Sequence, residues 1–267
     1  MPETEPRPEI VTEVQHVKHA YGGGSVPVLT DVSLDLSAGE LTVVVGPNGS
    51  GKSTLLQVLS GVLDPTGGAV VGPGATGRNR EDGEVRPTPE SGRTVGWLPQ
   101  RLAPRGSFTV RETVAHYAGF VDGGPSPDDA LARVGMGGVA DRRVDALSGG
   151  MRRLLGVALA TIGDPPLLVL DEPTSGLDPT MTMRIFEVLA GLTGDRRAVI
   201  CSSHDLAAVE RTADTVVLLD RGEIQARGSP VEVATAVDAD SLADAFAGAV
   251  EGDESRDGTT VRSGVRS

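Results

Sequence analysis

The run Gly46-Pro47-Asn48-Gly49-Ser50-Gly51-Lys52-Ser53-Thr54 constrains this chain more tightly than any other stretch of it. It follows the β-branched run Leu41-Thr42-Val43-Val44-Val45 and precedes the helix-prone run Leu55-Leu56-Gln57-Val58-Leu59. That is the strand–GxxxxGK[ST]–helix context of a phosphate-binding loop. Glycines let successive backbone N–H groups converge on one point, and the helix behind them adds its positive N-terminal end. A lysine at position 52 then lies between a β- and a γ-phosphate, and the Ser53 hydroxyl can ligate Mg²⁺. The plainer alternative is a glycine turn joining a strand to a helix. The flanking elements and the residues further along the chain weigh against it.

A hydrophobic share of 39% over 267 residues allows one large domain or two modest ones. The longest apolar runs, such as Pro166-Leu167-Leu168-Val169-Leu170, are strand-sized. None approaches the roughly 20 residues that span a bilayer. Met1 to Glu9 is rich in Pro and Glu and lacks the apolar stretch of a secretion signal, so a chain kept in the cytoplasm is expected. Cys201 is the single cysteine, which excludes an intrachain disulfide and suggests no Cys-based metal site. Its setting, Ala198-Val199-Ile200-Cys201-Ser202, reads as a buried strand.

The net charge of −13 argues against a nucleic-acid partner, which needs a basic face. Among 24 basic residues only Lys18 and Lys52 are lysines. An acidic, lysine-poor surface resembles proteins of salt-in halophilic microbes, and a GC-rich genome would also favour Arg over Lys. Salt adaptation predicts a melting temperature that climbs towards molar KCl, where screening relieves self-repulsion. A melting temperature flat from low to molar salt would leave only the genomic explanation.

Along the chain, residues 1–9 read as a disordered leader, and residues 10–233 as one α/β domain. A mostly helical insertion is expected at about 101–147, with Ser126-Pro127-Asp128-Asp129 as a helix start. Residues 72–93 are polar and turn-rich, and Gly22-Gly23-Gly24 forms a glycine loop. Residues 234–267 are expected to hold a C-terminal helix and a disordered acidic tail. The alternation of strands and helices implies a mainly parallel sheet flanked by helices, with an antiparallel β subdomain.

The second half supplies what a bare phosphate loop lacks. Leu167-Leu168-Val169-Leu170-Asp171-Glu172 is an apolar strand ending in two carboxylates. In phosphate-loop nucleotidases an acid at this strand end lies beside the Mg²⁺ held by the loop serine, which Asp171 fits. Glu172 projects differently and can polarise a water aimed at the γ-phosphate.

Gly46–Thr54, Gln100, Leu147-Ser148-Gly149-Gly150-Met151, Leu167–Glu172, Ser175-Gly176-Leu177-Asp178 and His204 stand in the order and spacing of ABC-type ATPases. The chain resembles that family over about residues 12–230. The resemblance implies ATP and Mg²⁺ as ligands. It gives Tyr21 an adenine to stack on, places Gln100 near Mg²⁺ and the attacking water, and sets His204 against the γ-phosphate. It also implies that Ser148, Gly149 and Gly150 face the ATP of a second subunit in a head-to-tail dimer, with Asp178 coupling the two sites. The expected partners are a second ATPase subunit, a homodimer being the simplest form, and a separate integral-membrane permease. The chain would sit peripherally at the cytoplasmic face of the membrane.

Met151 replaces the Gln commoner at its place. Leu147-Ser148-Gly149-Gly150-Met151-Arg152-Arg153, Phe108–Thr113 and Asp240–Phe246 resemble the branch that energises export of drugs or polysaccharides. An importer for a metal, cofactor or nutrient is the alternative, followed by a non-transport ATPase of the iron–sulfur assembly type.

Overall fold

The computed structural model describes residues 9–22, 26–77, 93–194 and 196–254. The expected leader, Gly23-Gly24, most of the polar segment 72–93 and the tail beyond 254 therefore lie outside the described residues.

The chain opens with β1 (Ile10–Tyr21), β2 (Val26–Ser37) and β3 (Leu41–Val45), and the phosphate loop leads into α1 (Lys52–Leu59). Next come β4 (Gly67–Val71), β5 (Thr76–Gly77) and β6 (Val95–Leu98), then α2 (Val110–Ala118), α3 (Pro127–Arg133) and α4 (Gly149–Thr161). The second half runs β7 (Leu167–Leu170), α5 (Pro179–Leu192), β8 (Ala198–Ser202), α6 (Leu206–Thr212), β9 (Thr215–Asp220) and β10 (Glu223–Gly228). It closes on α7 (Pro230–Ala236) and α8 (Leu242–Glu254).

Two sheets form, ordered β2-β1-β4-β5 and β10-β9-β3-β8-β7-β6. The first is antiparallel throughout. The second is parallel from β9 to β6, with β10 antiparallel on its edge. Every residue of β3, β7 and β8 is buried, as an apolar strand covered on both faces should be. Alternate side chains serve two cores. Val43, Leu168 and Cys201 face one, which α2 to α8 cover. Val44, Val169 and Ile200 face the other, with β1, β2 and α1. Each fully buried Leu or Val there stabilises the fold by about 1.5–3 kcal/mol. The fold class is the one expected: a phosphate loop on a mainly parallel sheet flanked by helices, with an antiparallel β subdomain and a helical insertion.

Local chemistry sets the helix starts. Ser126 caps α3 through the Asp129 N–H, with Pro127 in the first turn. Ser229 and Glu232 close a reciprocal capping box on α7. The boundary drawn at residue 233 thus falls inside a helix. The C-terminal helix is anchored to the main body, because Leu242 is buried in the larger core and its N–H donates to Glu210. Among the described residues no helix is long and apolar enough to cross a membrane.

Candidate active site

The phosphate loop turns between β3 and α1 with its glycines under real constraint. A Cβ on Gly46 would lie 1.9 Å from the Leu219 carbonyl oxygen. Gly51 has φ +106, and a Cβ there would meet Val28 O at 2.9 Å. No other residue fits either place. Lys52 is buried, and its Nζ donates to Gly46 O and Pro47 O, both at 2.8 Å. Burial pushes the ammonium pKa down, while the nearby Glu172 and Asp171 carboxylates pull it back up. Among the described residues its hydrogen bonds go to these two neutral carbonyls, which a phosphate can replace or join.

Ser53 Oγ donates to Asp171 Oδ1 at 3.1 Å, so the loop hydroxyl and the strand-end acid meet across the sheet. Hard oxygen donors of this kind suit Mg²⁺, which usually takes one or two protein carboxylates plus substrate phosphates. Among the described residues no cluster of three or more His, Cys, Asp or Glu could hold a metal by itself.

Glu172 sits at the centre of the remaining groups. Gln100 Nε2 donates to its Oε2 at 2.8 Å, and His204 Nε2 lies 3.1 Å from its Oε1. Burial pushes this carboxyl upward. The Gln100 hydrogen bond, the charge and hydrogen bond of His204, and Ser175 together outweigh burial, and the pKa falls below the ordinary carboxylate value. The backbone of Glu172 has φ +46. A non-glycine residue there costs on the order of 1–3 kcal/mol, and a residue before proline, as Glu172 is before Pro173, is normally driven to extended backbone. Beside Glu172 and His204 opens a cleft of about 520 Å³, with Thr174, Leu177 and Asp205 also on its wall.

Sequence reasoning gave no site role to three further residues, two of them at this centre and one beside Tyr21. Ser202 Oγ donates to Asp171 Oδ1 and accepts from the Glu172 N–H, both at 2.8 Å. Arg153 Nη1 donates to Gln100 O at 2.6 Å, tying the loop after β6 to α4. His19 packs edge-on against Tyr21 at 4.7 Å. For Ser202 the available signal was a hydroxyl ending an otherwise apolar strand beside another strand that ends in acids.

Tyr21 ends β1 with its ring half exposed and its hydroxyl 3.3 Å from Thr54 Oγ1. The structure thus puts the Tyr21 hydroxyl beside the end of the phosphate loop. Pro47, Asn48, Gly49 and Ser50 complete the turn, and the buried Ser50 Oγ has no partner among the described residues. Ser148, Gly149 and Gly150 lie elsewhere. Ser148 caps α4 through the Met151 N–H, and Gly150 admits Met181 where a Cβ would be 2.4 Å from Met181 Cγ. Asp178 is exposed and caps α5 through the same Met181. Among the described residues these groups share no hydrogen bond with the phosphate loop.

A second surface adjoins the Gln100 loop. Aromatics make up only 3% of the chain, yet Trp97, Phe108, Tyr117 and Phe120 gather near it. Trp97, Leu102, Tyr117 and Phe120 line a groove of about 170 Å³. His116 stands edge-on to Phe120 at 5.1 Å, and Arg105 lies over Phe108 at 5.6 Å. Phe120 remains 75% exposed, a large apolar group presented to solvent.

Residues 29–175 match the ABC transporter family. The chain is 36% identical over 217 residues to the zinc import ATP-binding protein ZnuC of Paracoccus denitrificans, covering 80% of this chain and 78% of that one. It is 36% identical over 239 residues to the hemin import ATP-binding protein HmuV of Plesiomonas shigelloides, covering 80% and 87%. Among solved structures it resembles the dimeric post-hydrolysis state of the ATP-binding cassette MJ0796 bound to ADP and Pi, with a TM-score of 0.67 and 25% identity, covering 82% of this chain and 98% of that one.

Proposed function

We infer the division of labour within the site from one premise: the chain belongs to the ABC transporter family, as an ATP-binding and ATP-hydrolysing motor subunit. Lys52 and the loop N–H groups hold the β- and γ-phosphates. Ser53, Asp171 and Gln100 would hold Mg²⁺, which screens phosphate charge when bound. Glu172 acts as general base towards the attacking water, His204 contacts the γ-phosphate, and Tyr21 supports the adenine. The observation that carries this reading is the meeting of Gln100 and His204 on the two oxygens of Glu172, a carboxylate adjoining the acid that touches Ser53.

Ser148, Gly149 and Gly150 share no hydrogen bond with the phosphate loop among the described residues, and the start of α4 that they form fits an ATP held by a second copy of the chain. Asp178, at the exposed start of α5, lies at that junction. ATP then closes a head-to-tail dimer and hydrolysis reopens it. The dimeric cassette of similar fold supports the arrangement.

The aromatic groove beside the Gln100 loop is the surface we assign to the membrane permease, which would place the chain at the cytoplasmic face of the membrane. Exposed aromatics are the residues that anchor interfaces. Phe120→Ser should leave the ATPase rate of the isolated chain within about two-fold, because Phe120 touches no group of the site. Co-purification with a co-expressed permease subunit should be lost. Retained co-purification would move the docking surface elsewhere.

For direction, Met151-Arg152-Arg153 after the glycines supports export, while the names of the zinc and hemin relatives support import. Zn²⁺ or hemin uptake that falls on deletion of the chain would favour import. Unchanged uptake with lost tolerance to lipophilic drugs would favour export.

A further inference from the structure

We propose that Ser202 is a positioning residue for hydrolysis, whose one hydroxyl sets the geometry of both Glu172 and Asp171; the proposal rests on the roles given to those two acids above.

Ser202 ends β8, fully buried, between β3 and β7. It pairs with Val44, two residues before Gly46. Leu170 pairs with Cys201, so Asp171 and Ser202 are the next step along adjacent parallel strands. A serine hydroxyl has one proton and two lone pairs. Here the proton goes to Asp171 Oδ1, and a lone pair takes the Glu172 N–H. Both contacts are 2.8 Å; the one to Asp171 is buried and the one from the Glu172 N–H partly so.

Each contact has a consequence at the reacting end. Asp171 Oδ1 also receives the Ser53 hydroxyl, so two hydroxyl donors converge on one oxygen. Among the described residues, Oδ2 takes part in no hydrogen bond. The carboxylate is thereby turned so that one oxygen takes both hydroxyls and the other carries no hydrogen bond from the described residues. Glu172 holds a backbone conformation that neither its Cβ nor the following proline favours. Such conformations persist only where the surroundings over-determine them, and the Ser202 hydroxyl is a fixed acceptor for that amide. Arrangement of this kind by a neighbouring side chain typically accounts for about 10–100-fold in activity.

The test is a pair of variants of equal shape. Ser202→Thr keeps the hydroxyl and Ser202→Val replaces it with a methyl group. Both are β-branched and suit a strand. Ser202→Ala serves as a third variant with no added bulk, and melting temperatures report whether each folds. We expect kcat to fall about 10–100-fold in Ser202→Val and Ser202→Ala. KM for ATP should stay within about two-fold, since the phosphate loop is untouched. Ser202→Thr should recover most of kcat. Threonine and valine variants of equal kcat would overturn the proposal, because packing and not the hydroxyl would then matter; so would an alanine variant at wild-type rate. If Glu172→Gln itself hydrolyses ATP at the wild-type rate, the assignment of the base fails instead, which separates the two outcomes.

Discussion

Glu172→Gln is expected to bind ATP as the wild type does, hydrolyse it roughly 10²–10⁴-fold more slowly, and accumulate as an ATP-bound dimer. The amide keeps the shape of the carboxylate and can still meet Gln100 and His204, so the fold should be unaffected. What is lost is the lone pair that takes a proton from water. Sedimentation with and without ATP, alongside a phosphate-release assay, checks both halves. Wild-type turnover in this variant would falsify the base assignment.

The same carboxylate predicts a pH dependence. Its pKa lies below the ordinary carboxylate value, so the basic form persists through neutral pH and is lost only on acidification. Gln100 supplies the first of the interactions that lower it. Gln100→Leu should therefore move the acid limb of kcat to higher pH; an unmoved limb would mean that another group titrates.

Lys52→Ala is expected to abolish turnover and weaken ATP binding at least about tenfold, the lower end for a hydrogen bond to a charged group. Lys52→Arg should fare little better. The loop presents two carbonyl oxygens to a compact ammonium at 2.8 Å, and a planar, longer guanidinium cannot occupy that point. Equilibrium binding of a fluorescent ATP analogue reads the first effect and phosphate release the second. Unchanged affinity and rate in Lys52→Ala would refute the phosphate-loop reading.

Much of the site was legible because its signals are local. Gly46–Thr54 is a contiguous turn between a strand and a helix, and Leu167–Glu172 is an apolar strand with its acids at the tip. The Ser126-Pro127 helix start was readable for the same reason. Other features needed the fold. Gln100 and His204 stand 72 and 32 residues from Glu172, and only the strand order brings them onto it. The backbone of Glu172 has no sequence signature, because nothing in Asp-Glu-Pro announces a positive φ. Ser202 was hidden by its neighbours, since a serine after Ala-Val-Ile-Cys reads simply as the end of a strand. The Ser229–Glu232 capping box was written in the sequence, yet the domain end expected at residue 233 falls inside the helix that this box starts.

Cys201 lies fully buried at the middle of the sheet, and burial pushes its thiol up to about 12. The native chain is therefore chemically silent towards thiol reagents at neutral pH. A cysteine introduced at the exposed Ser148 would be the single reactive position on each copy, with no background to remove. A pair of spin labels there would report how far apart two copies stand before ATP is added and after it is spent.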